Sequence, residues 1–306
     1  MKILTLLVGP PGSGKSTYAL ERISYSDAEQ ENPVVYINQD LQGKDHLRIF
    51  NEAIESGRNI VVDRMNFSKS QRDRYLVPAK TKGYETQIIV LHESYETCFK
   101  RCQERKDHLT IKDETSARSA LNTFFTKYER VSDYEADQVF RAWPEGEKPS
   151  AVVVDLDGTL CNVEHRRHFV IKPEGQKKDW QGFFKGMVDD TPNQWCADIV
   201  RLMADEHTVV YCSGRPDNYR KETVEWLKKY GLYSINFKFK IREGEPHLYM
   251  RPRNDSRSDN IVKEILLDYE ILTRFKPYFM IDDRQQVVDM YRSRGFTVLQ
   301  CDKGDF

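Results

Sequence analysis

The residues Gly9-Pro10-Pro11-Gly12-Ser13-Gly14-Lys15-Ser16-Thr17 fit the spacing G-x-x-x-x-G-K-[ST]. Glycines at these positions let successive backbone N–H groups converge on a phosphate, and the N-terminus of a following helix adds a favourable field. Lys15 would neutralise the β and γ oxygens of a nucleoside triphosphate, and Ser16 would hold Mg²⁺. Gly9, Gly12, Ser13, Gly14, Lys15, Ser16 and Thr17 therefore form an expected cradle for ATP or another NTP. The acceptor must be read elsewhere. Asp40 follows an apolar run and stands where it could take a proton from a substrate hydroxyl, its plainer role being the N-cap of a helix from Leu41. Asp63 ends another apolar run and is followed by Arg64, where many hydrolytic motors place a Glu to activate water, so transfer is favoured over hydrolysis. Arg101 and Arg105 lie four apart on a predicted helix, with Lys106 and His108 beyond, and could close over the nucleotide; a solvated helix face is the plainer reading.

A second chemical signature begins at Ala151-Val152-Val153-Val154-Asp155-Leu156-Asp157-Gly158-Thr159-Leu160, an apolar strand running into D-x-D-G-T. Two carboxylates two residues apart at a strand end can enter one site. A carboxylate is already ionised at neutral pH and can attack a phosphoryl group, provided Mg²⁺ offsets the repulsion between anions. The pattern resembles the haloacid-dehalogenase superfamily, in which the first aspartate is nucleophile and the second general acid/base. That resemblance implies those roles for Asp155 and Asp157, a phosphate-binding hydroxyl at Ser213, and a lysine serving nucleophile and phosphate at Lys263. It also implies a metal site of Asp155, Asp157, Asp282 and Asp283.

These loops need elements to hold them. Apolar runs at Ile3–Val8, Val34–Ile37, Ile60–Val62 and Ile88–Leu91 alternate with amphipathic stretches, including a predicted helix over Ala117–Val131, which is the pattern of a parallel sheet with helices on both faces. Trp143-Pro144-Glu145-Gly146-Glu147-Lys148-Pro149 reads as a linker and divides 1–146 from 147–306. The alternation then restarts, with strands expected at Ala151–Val154, Thr208–Tyr211, Tyr278–Ile281 and Phe296–Leu299 and helices at Asn218–Tyr230, Asp259–Arg274 and Gln285–Arg294. Glu164–Gln194 is expected to form a small cap, with Trp180, Phe183 and Phe184 weighing more as cap core than as a platform for stacked bases. The fold class is thus α/β in two domains, each opening on a strand that feeds a polar loop.

Composition bounds the partners. Apolar residues make up 39% and charged residues 31%, enough for packed cores and too balanced for disorder. The net charge is −1, with 22 basic and 23 acidic side chains in residues 1–148, so any polyanion must be gripped by a local cluster. The six cysteines form no C-x-x-C pair and read as reduced thiols. No run of about 18 apolar residues suggests a membrane span, and a cytoplasmic protein is expected.

A P-loop kinase ahead of such a phosphatase resembles, over essentially the whole chain, the polynucleotide 5'-kinase/3'-phosphatase family of T-even-like bacteriophages. The resemblance implies transfer of the NTP γ-phosphate to a 5'-hydroxyl end of RNA or DNA and removal of a 3'-phosphate or 2',3'-cyclic phosphate. A polynucleotide ligase would be the functional partner and a homo-oligomer the assembly. It makes Asp40 the general base within Ile37-Asn38-Gln39-Asp40, Asp63 a second kinase aspartate toward the substrate, and Arg105 the lid arginine, with Arg101 a turn earlier. In the phosphatase, Arg166, Arg215, Arg251 and Asp259 become substrate-side residues, and Gly304-Asp305-Phe306 also fits. One departure stands out. The family's acceptor-gripping arginine, three residues after the base, is here Gly43, with Lys44 or Arg48 as replacements and Arg72 as a residue that could close the Asp63 side. The rivals are a small-metabolite kinase joined to a metabolite phosphatase and, more remotely, an NTP-gated binding module.

Overall fold

The computed structural model describes residues 2–27, 33–105, 110–173, 175–233 and 246–304. The chain divides into two units, Met1–Glu145 and Gly146–Phe306, each built on its own five-stranded parallel sheet.

In the first unit the elements run β1 (Ile3–Val8), α1 (Lys15–Asp27), β2 (Val35–Asn38), α2 (Gln39–Gln42), a 3₁₀ turn, α3 (His46–Glu55), β3 (Ile60–Asp63), α4 (Lys69–Thr81), β4 (Glu85–Leu91), α5 (Tyr95–Glu104), α6 (Glu114–Lys127) and β5 (Gln138–Ala142). The strand order is β2-β3-β1-β4-β5. The central β1 is buried from Leu4 to Val8, as a strand covered on both faces must be, and so reads as an apolar run interrupted only by the buried Thr5. Asn38 pairs in register with Asp63, and Leu7 pairs with Asp63 from the other side. The carboxyl ends of β1, β2 and β3 therefore deliver the phosphate loop, Asp40 and Asp63 to one edge of the sheet.

The second unit runs β6 (Ser150–Val154), β7 (Cys161–Asn162), a 3₁₀ segment Glu164–Phe169, α7 (Trp180–Lys185), a 3₁₀ turn Gly186–Asp189, β8 (Thr191–Pro192), α8 (Gln194–Met203), β9 (Thr208–Pro216), a 3₁₀ turn, α9 (Arg220–Lys229), β10 (His247–Arg251), α10 (Asp259–Leu266), β11 (Lys276–Asp282), α11 (Gln285–Ser293) and β12 (Val298–Gln300). The order is β10-β9-β6-β11-β12, with β7 and β8 forming a separate antiparallel pair. Alternation along β6 serves two cores: Val152 and Val154 pack with Trp226, Leu227 and Phe183, while Ala151 and Val153 pack with Val262, Leu266 and Val288.

Several boundaries differ from the sequence expectation for local reasons. The helix expected over Asp259–Arg274 leaves α geometry at Leu266 and continues as a π turn over Leu267–Ile271. The strand expected to stop at Tyr211 continues to Pro216, so Ser213 and Arg215 lie within it. The edge strands β5 and β10 have no apolar run to announce them; β5 alternates exposed and half-buried residues throughout. All six cysteines are free thiols. Among the described residues no helix is long and apolar enough to cross a membrane.

Candidate functional site

In the first unit, the loop after β1 is shaped by Gly12 and Gly14, whose φ values of +83° and +95° are left-handed. A Cβ on Gly12 would stand 2.5 Å from the Cys98 carbonyl oxygen, so the loop also needs a bare glycine for its approach to α5. Lys15 is buried and donates to the carbonyls of Gly9 (2.9 Å) and Pro10 (2.7 Å). Burial pushes its ammonium pKa down; Asp63 opposes that, and the positive charge of Arg105 adds to the lowering. Ser16 Oγ donates to Asp63 Oδ2 at 2.7 Å, and the same oxygen accepts from the Tyr36 hydroxyl (2.6 Å) and Asn38 Nδ2 (3.1 Å). Burial and the hydrogen bond to Asp63 hold the Tyr36 phenol protonated well beyond its usual range. Ser13 Oγ is buried without a hydrogen-bond partner among the described residues, and Thr17 is exposed on the first turn of α1. An unsatisfied hydroxyl inside a loop of left-handed glycines suits a phosphate, and the Ser16–Asp63 pair supplies oxygens of the kind Mg²⁺ prefers.

Asp40 is exposed on the first turn of α2 and is not its cap. Asn38 caps the helix by accepting from the Asp40 and Leu41 N–H groups, which leaves the Asp40 carboxylate available to other donors; it accepts from Thr110 Oγ1 at 3.1 Å. Arg101 lies beside the loop, donating to the Gly12 carbonyl at 3.2 Å and pairing with the buried Glu93 at 3.1 Å. Arg105 is the extended C-cap of α5, so the two arginines do not share one helical face as their spacing predicts. Lys106 and His108 lie outside the described residues.

Arg72 departs from its expected place near the substrate. It is fully buried, its guanidinium chelates Glu135 at 2.6 and 2.9 Å, and one nitrogen donates to the carbonyls of Asn66, Phe67 and Glu129. It ties the turn after β3 to the segment after α6. Gly43 has φ +56° with open space around it, and Arg48 is spent on Asp45 and Glu52 at the surface.

In the second unit three neighbouring strands deliver the chemistry. Asp155 follows β6, Ser213 lies near the end of β9, and Asp282 ends β11 with Asp283 next to it. Lys263, buried on α10, bridges Asp155 Oδ1 (2.8 Å), Asp282 Oδ2 (2.8 Å) and, more weakly, Asp259 Oδ2 (3.4 Å). One oxygen each of Asp155, Asp282 and Asp283 lies within 4.8 Å of the others. Burial pushes all three carboxyl pKa values up, Asp283 to about 6 with Asp282 adding to it, while the negative charge around Lys263 holds it protonated despite its burial. Three buried carboxylates around one lysine leave unneutralised negative charge that a divalent cation would relieve, so the donor set fits Mg²⁺. Thr159 Oγ1 donates to Asp283 at 3.2 Å, and Gly158 and Gly304 crowd that side chain so closely that a Cβ on either would collide with it. Asp305 and Phe306 lie outside the described residues.

The Asp157 side chain stands apart from this acidic cluster and groups instead with Asp190 and the Cys161 thiol, one ligand atom of each lying within 4.8 Å of the others. Its carboxylate is gripped by Arg215 (Nε 3.0 Å from both oxygens, Nη2 2.5 Å from Oδ1) and by Arg166 (2.5 Å), and both arginines also hold the fully buried Asp190. Burial raises the Asp157 pKa, but Arg215 and Arg166 outweigh it and keep the carboxyl well below the usual range. Arg166 and Arg215 have no exposed surface, and both spend their guanidinium groups on Asp157 and Asp190. Arg251 donates to the carbonyls of Gly214, Asp255 and Arg257 and to Asp259, which in turn faces Lys263, and both residues line the cavity that opens on Asp155 and Asp157. Ser213 is fully buried and its Oγ accepts from the Arg215 N–H at 3.2 Å.

Sequence reasoning passed over Asp190, Glu93, Tyr36 and Thr159. Tyr36 was within reach, since it lies two residues before Asn38 on a strand and so shares its face. Asp190 carries no such signal.

The comparisons bear on these two constellations. Residues 149–306 match the polynucleotide kinase PNKP phosphatase domain, and residues 20–130 match an AAA domain. A protein of Autographa californica nuclear polyhedrosis virus that bears the name bifunctional polynucleotide kinase/RNA ligase is 26% identical over 95% of this chain, which spans 41% of that relative's length. The Arabidopsis thaliana transcription factor bHLH140 is 30% identical over 35% of the chain and 12% of its own length. Among solved structures, the Pnkp1/Rnl/Hen1 RNA repair complex contains a chain 25% identical, covered over 97% of its length and 100% of this one, at a TM-score of 0.42. The phosphatase-domain match takes in more than half of the chain and contains Asp155, Asp157, Ser213, Lys263, Asp282 and Asp283, and the chain therefore belongs to the family of the polynucleotide kinase PNKP phosphatase domain.

Proposed function

We propose that the chain heals nucleic-acid ends, phosphorylating a 5'-hydroxyl of RNA or DNA in its first unit and removing a 3'-phosphate, or opening and removing a 2',3'-cyclic phosphate, in its second. The observation that carries this reading is Asp155 seated at the end of the central strand within 2.8 Å of Lys263 and beside Asp282 and Asp283, in a chain of that phosphatase family.

In the first unit Lys15 exchanges its two loop carbonyls for phosphate oxygens of ATP or another NTP. Asp40 accepts the proton of the 5'-hydroxyl, the oxygen attacks the γ-phosphorus, and the bond to the β-phosphate oxygen breaks to release the diphosphate. Ser16 and Asp63 would hold Mg²⁺ here, and Arg101 and Arg105 approach the phosphates from the α5 side. In the second unit Asp155 attacks the 3'-phosphorus, the bond to O3' breaks, and O3' takes a proton from Asp157. Asp157 then removes a proton from water, which attacks the aspartyl phosphate and frees inorganic phosphate. Asp155, Asp282 and Asp283 would hold Mg²⁺, which supplies charge neutralisation as two anions approach. Lys263 orients the nucleophile and opposes the rise in its pKa that burial causes. The ligase that seals such ends is the partner class, the cytoplasm, of a host if the chain is phage-encoded, is the expected place, and self-association belongs to the same reading.

Labelled ATP with an oligonucleotide bearing a 5'-hydroxyl and a 3'-phosphate tests both ends at once. Lys15→Ala abolishes 5'-labelling and spares phosphate release, and Asp155→Asn does the reverse. Transfer to free nucleosides or sugars as fast as to the oligonucleotide, or ATP turnover that ignores acceptors, overturns the reading.

A further inference from the structure

The phosphatase unit carries a feature that the reaction itself does not use. A cavity of about 470 Å³ opens on Asp155 and Asp157 and is lined on the cap side by Lys178, Trp180, Phe183 and Phe184. The three aromatic residues that the sequence groups together differ sharply here. Phe183 is 1% exposed and packs under the Arg166 guanidinium, 4.1 Å from ring centroid to Cζ, so it is cap core. Trp180 is 40% exposed although it is the largest apolar side chain in the cap. Its ring is not loose: Phe184 stacks against it at 5.9 Å and 24°, and Phe183 meets it edge-on at 5.9 Å and 87°. The Lys178 ammonium stands 5.6 Å from the same ring. A braced, open indole that shares a cavity with a phosphate-attacking carboxylate, next to a cation, suits a ligand with an aromatic ring on one side and phosphate charge on the other.

We infer that Trp180 is the platform on which the base of the 3'-terminal nucleotide stacks, making it a specificity determinant of the phosphatase; this rests on the function proposed above. Stacking on an indole accepts any base, because every base presents a π face. The unit therefore discriminates nucleotide ends from base-free phosphate monoesters without reading sequence. Lys178 lies where the phosphodiester on the 5' side of that nucleotide meets a positive charge.

The test compares two substrates, an oligonucleotide ending in a normal 3'-phosphorylated nucleotide and one ending in a base-free 3'-phosphorylated sugar. Trp180→Ala is expected to raise KM for the first about 5- to 150-fold, which is about 1–3 kcal/mol at about 1.4 kcal/mol per tenfold, with kcat little changed. KM for the base-free end stays as in the parent. Trp180→Ala also removes the ring contacts to Phe183 and Phe184, so Trp180→Phe is assayed beside it and is expected to recover most of the affinity. An unchanged KM, an equal rise for both substrates, or no recovery with phenylalanine overturns the platform while leaving the phosphatase reading intact. A parent protein that hydrolyses neither end overturns both.

Discussion

Arg215 and Asp157 face each other in a two-point ion pair, with Nε 3.0 Å from both carboxylate oxygens and Nη2 2.5 Å from Oδ1. The pair is part of a larger cage, since Arg166 holds the same Oδ1 and both arginines share the buried Asp190. Two cations against two carboxylates balance in charge, which lets the group sit inside the protein. It also fixes Asp157 in its ionised form, ready to take a proton from water but not to give one to O3'. Proton donation therefore requires the grip to loosen, and an arriving phosphate is the anion that can draw the guanidinium groups away.

This arrangement makes separate predictions for the two acids. Removing one member of a buried ion cage costs up to about 3–5 kcal/mol. Asp190→Asn is expected to lower the thermal midpoint of the phosphatase unit more than Asp157→Asn, because Asp190 is fully buried while the Asp157 side chain is 13% exposed. Asp157→Asn should abolish turnover while leaving the fold largely intact. A depressed carboxyl pKa stabilises the fold above the unfolded value near 4, and that stability is lost as pH falls through the lower folded value. The parent protein thus loses this contribution in acid, whereas Asp157→Asn has none of it to lose. Acid unfolding curves that run parallel for the two proteins would refute the assignment.

The acidic cluster behaves in the opposite sense. Burial and the neighbouring Asp282 raise Asp283 to about 6. A raised carboxyl pKa leaves stability untouched below about 4 and removes it as pH climbs toward the folded value, because ionisation then occurs in a crowded negative site. Mg²⁺ must displace the retained protons, so its affinity is expected to fall at least tenfold per pH unit below about 6. Thermal shift with Mg²⁺ at pH 5 and pH 7.5 reads this directly: a large rise in midpoint at the higher pH and little at the lower. Asp283→Asn should flatten that difference, and equal stabilisation at both pH values in the parent would contradict it.

Arg72 tests the distinction between brace and binder. Its guanidinium has no exposed surface, and Glu135, at 7%, has little. Arg72→Met leaves a carboxylate buried without its partner and is expected to destabilise the first unit by about 3–5 kcal/mol. Adding Glu135→Leu should return part of that loss, since an apolar pair of similar volume avoids the desolvation of two charges. At temperatures where Arg72→Met is folded, KM for ATP and for the 5'-hydroxyl end should match the parent. A selective rise in acceptor KM would restore Arg72 to the substrate side.

These cases mark what could be read from the chain and what could not. The phosphate loop and the D-x-D turn are local: a few residues at fixed spacing after an apolar strand specify both backbone and chemistry. The positions of Asp63, Ser213 and Asp282 follow once parallel strands are recognised, because strand ends gather at one edge of a sheet. Arg72 misled because arginine is rarely buried unless paired, and its pairing, like those of Arg166 and Arg215, depends on contacts far along the chain. Arg72 meets Glu135, 63 residues away, and Arg166 meets Asp190 across the cap. Asp190 itself follows a 3₁₀ turn with no periodicity to mark it as buried. Edge strand β5 was hidden for the converse reason, since a half-exposed strand on one sheet edge needs no apolar run.

The two left-handed glycines of the phosphate loop separate backbone strain from steric collision. Gly14 has φ +95°, and a Cβ placed on it would meet nothing within 4 Å, so Gly14→Ala suffers only the left-handed penalty of about 1–2 kcal/mol. Gly12 has φ +83° and would also drive its Cβ to 2.5 Å from the Cys98 carbonyl oxygen and 3.0 Å from its Cα. Those are backbone atoms in the first turns of α5 and cannot step aside, so the loop and the helix must part. Gly12→Ala is therefore expected to abolish ATP binding and lower the midpoint of the first unit. Gly14→Ala should weaken binding by about tenfold and lower the midpoint by only about the few degrees that its backbone penalty implies. Nucleotide titration and thermal unfolding of the two variants check the contrast, with 3'-phosphate release as a control that neither should alter. Equal losses in both would show that φ alone, and not the approach to α5, sets the requirement at Gly12.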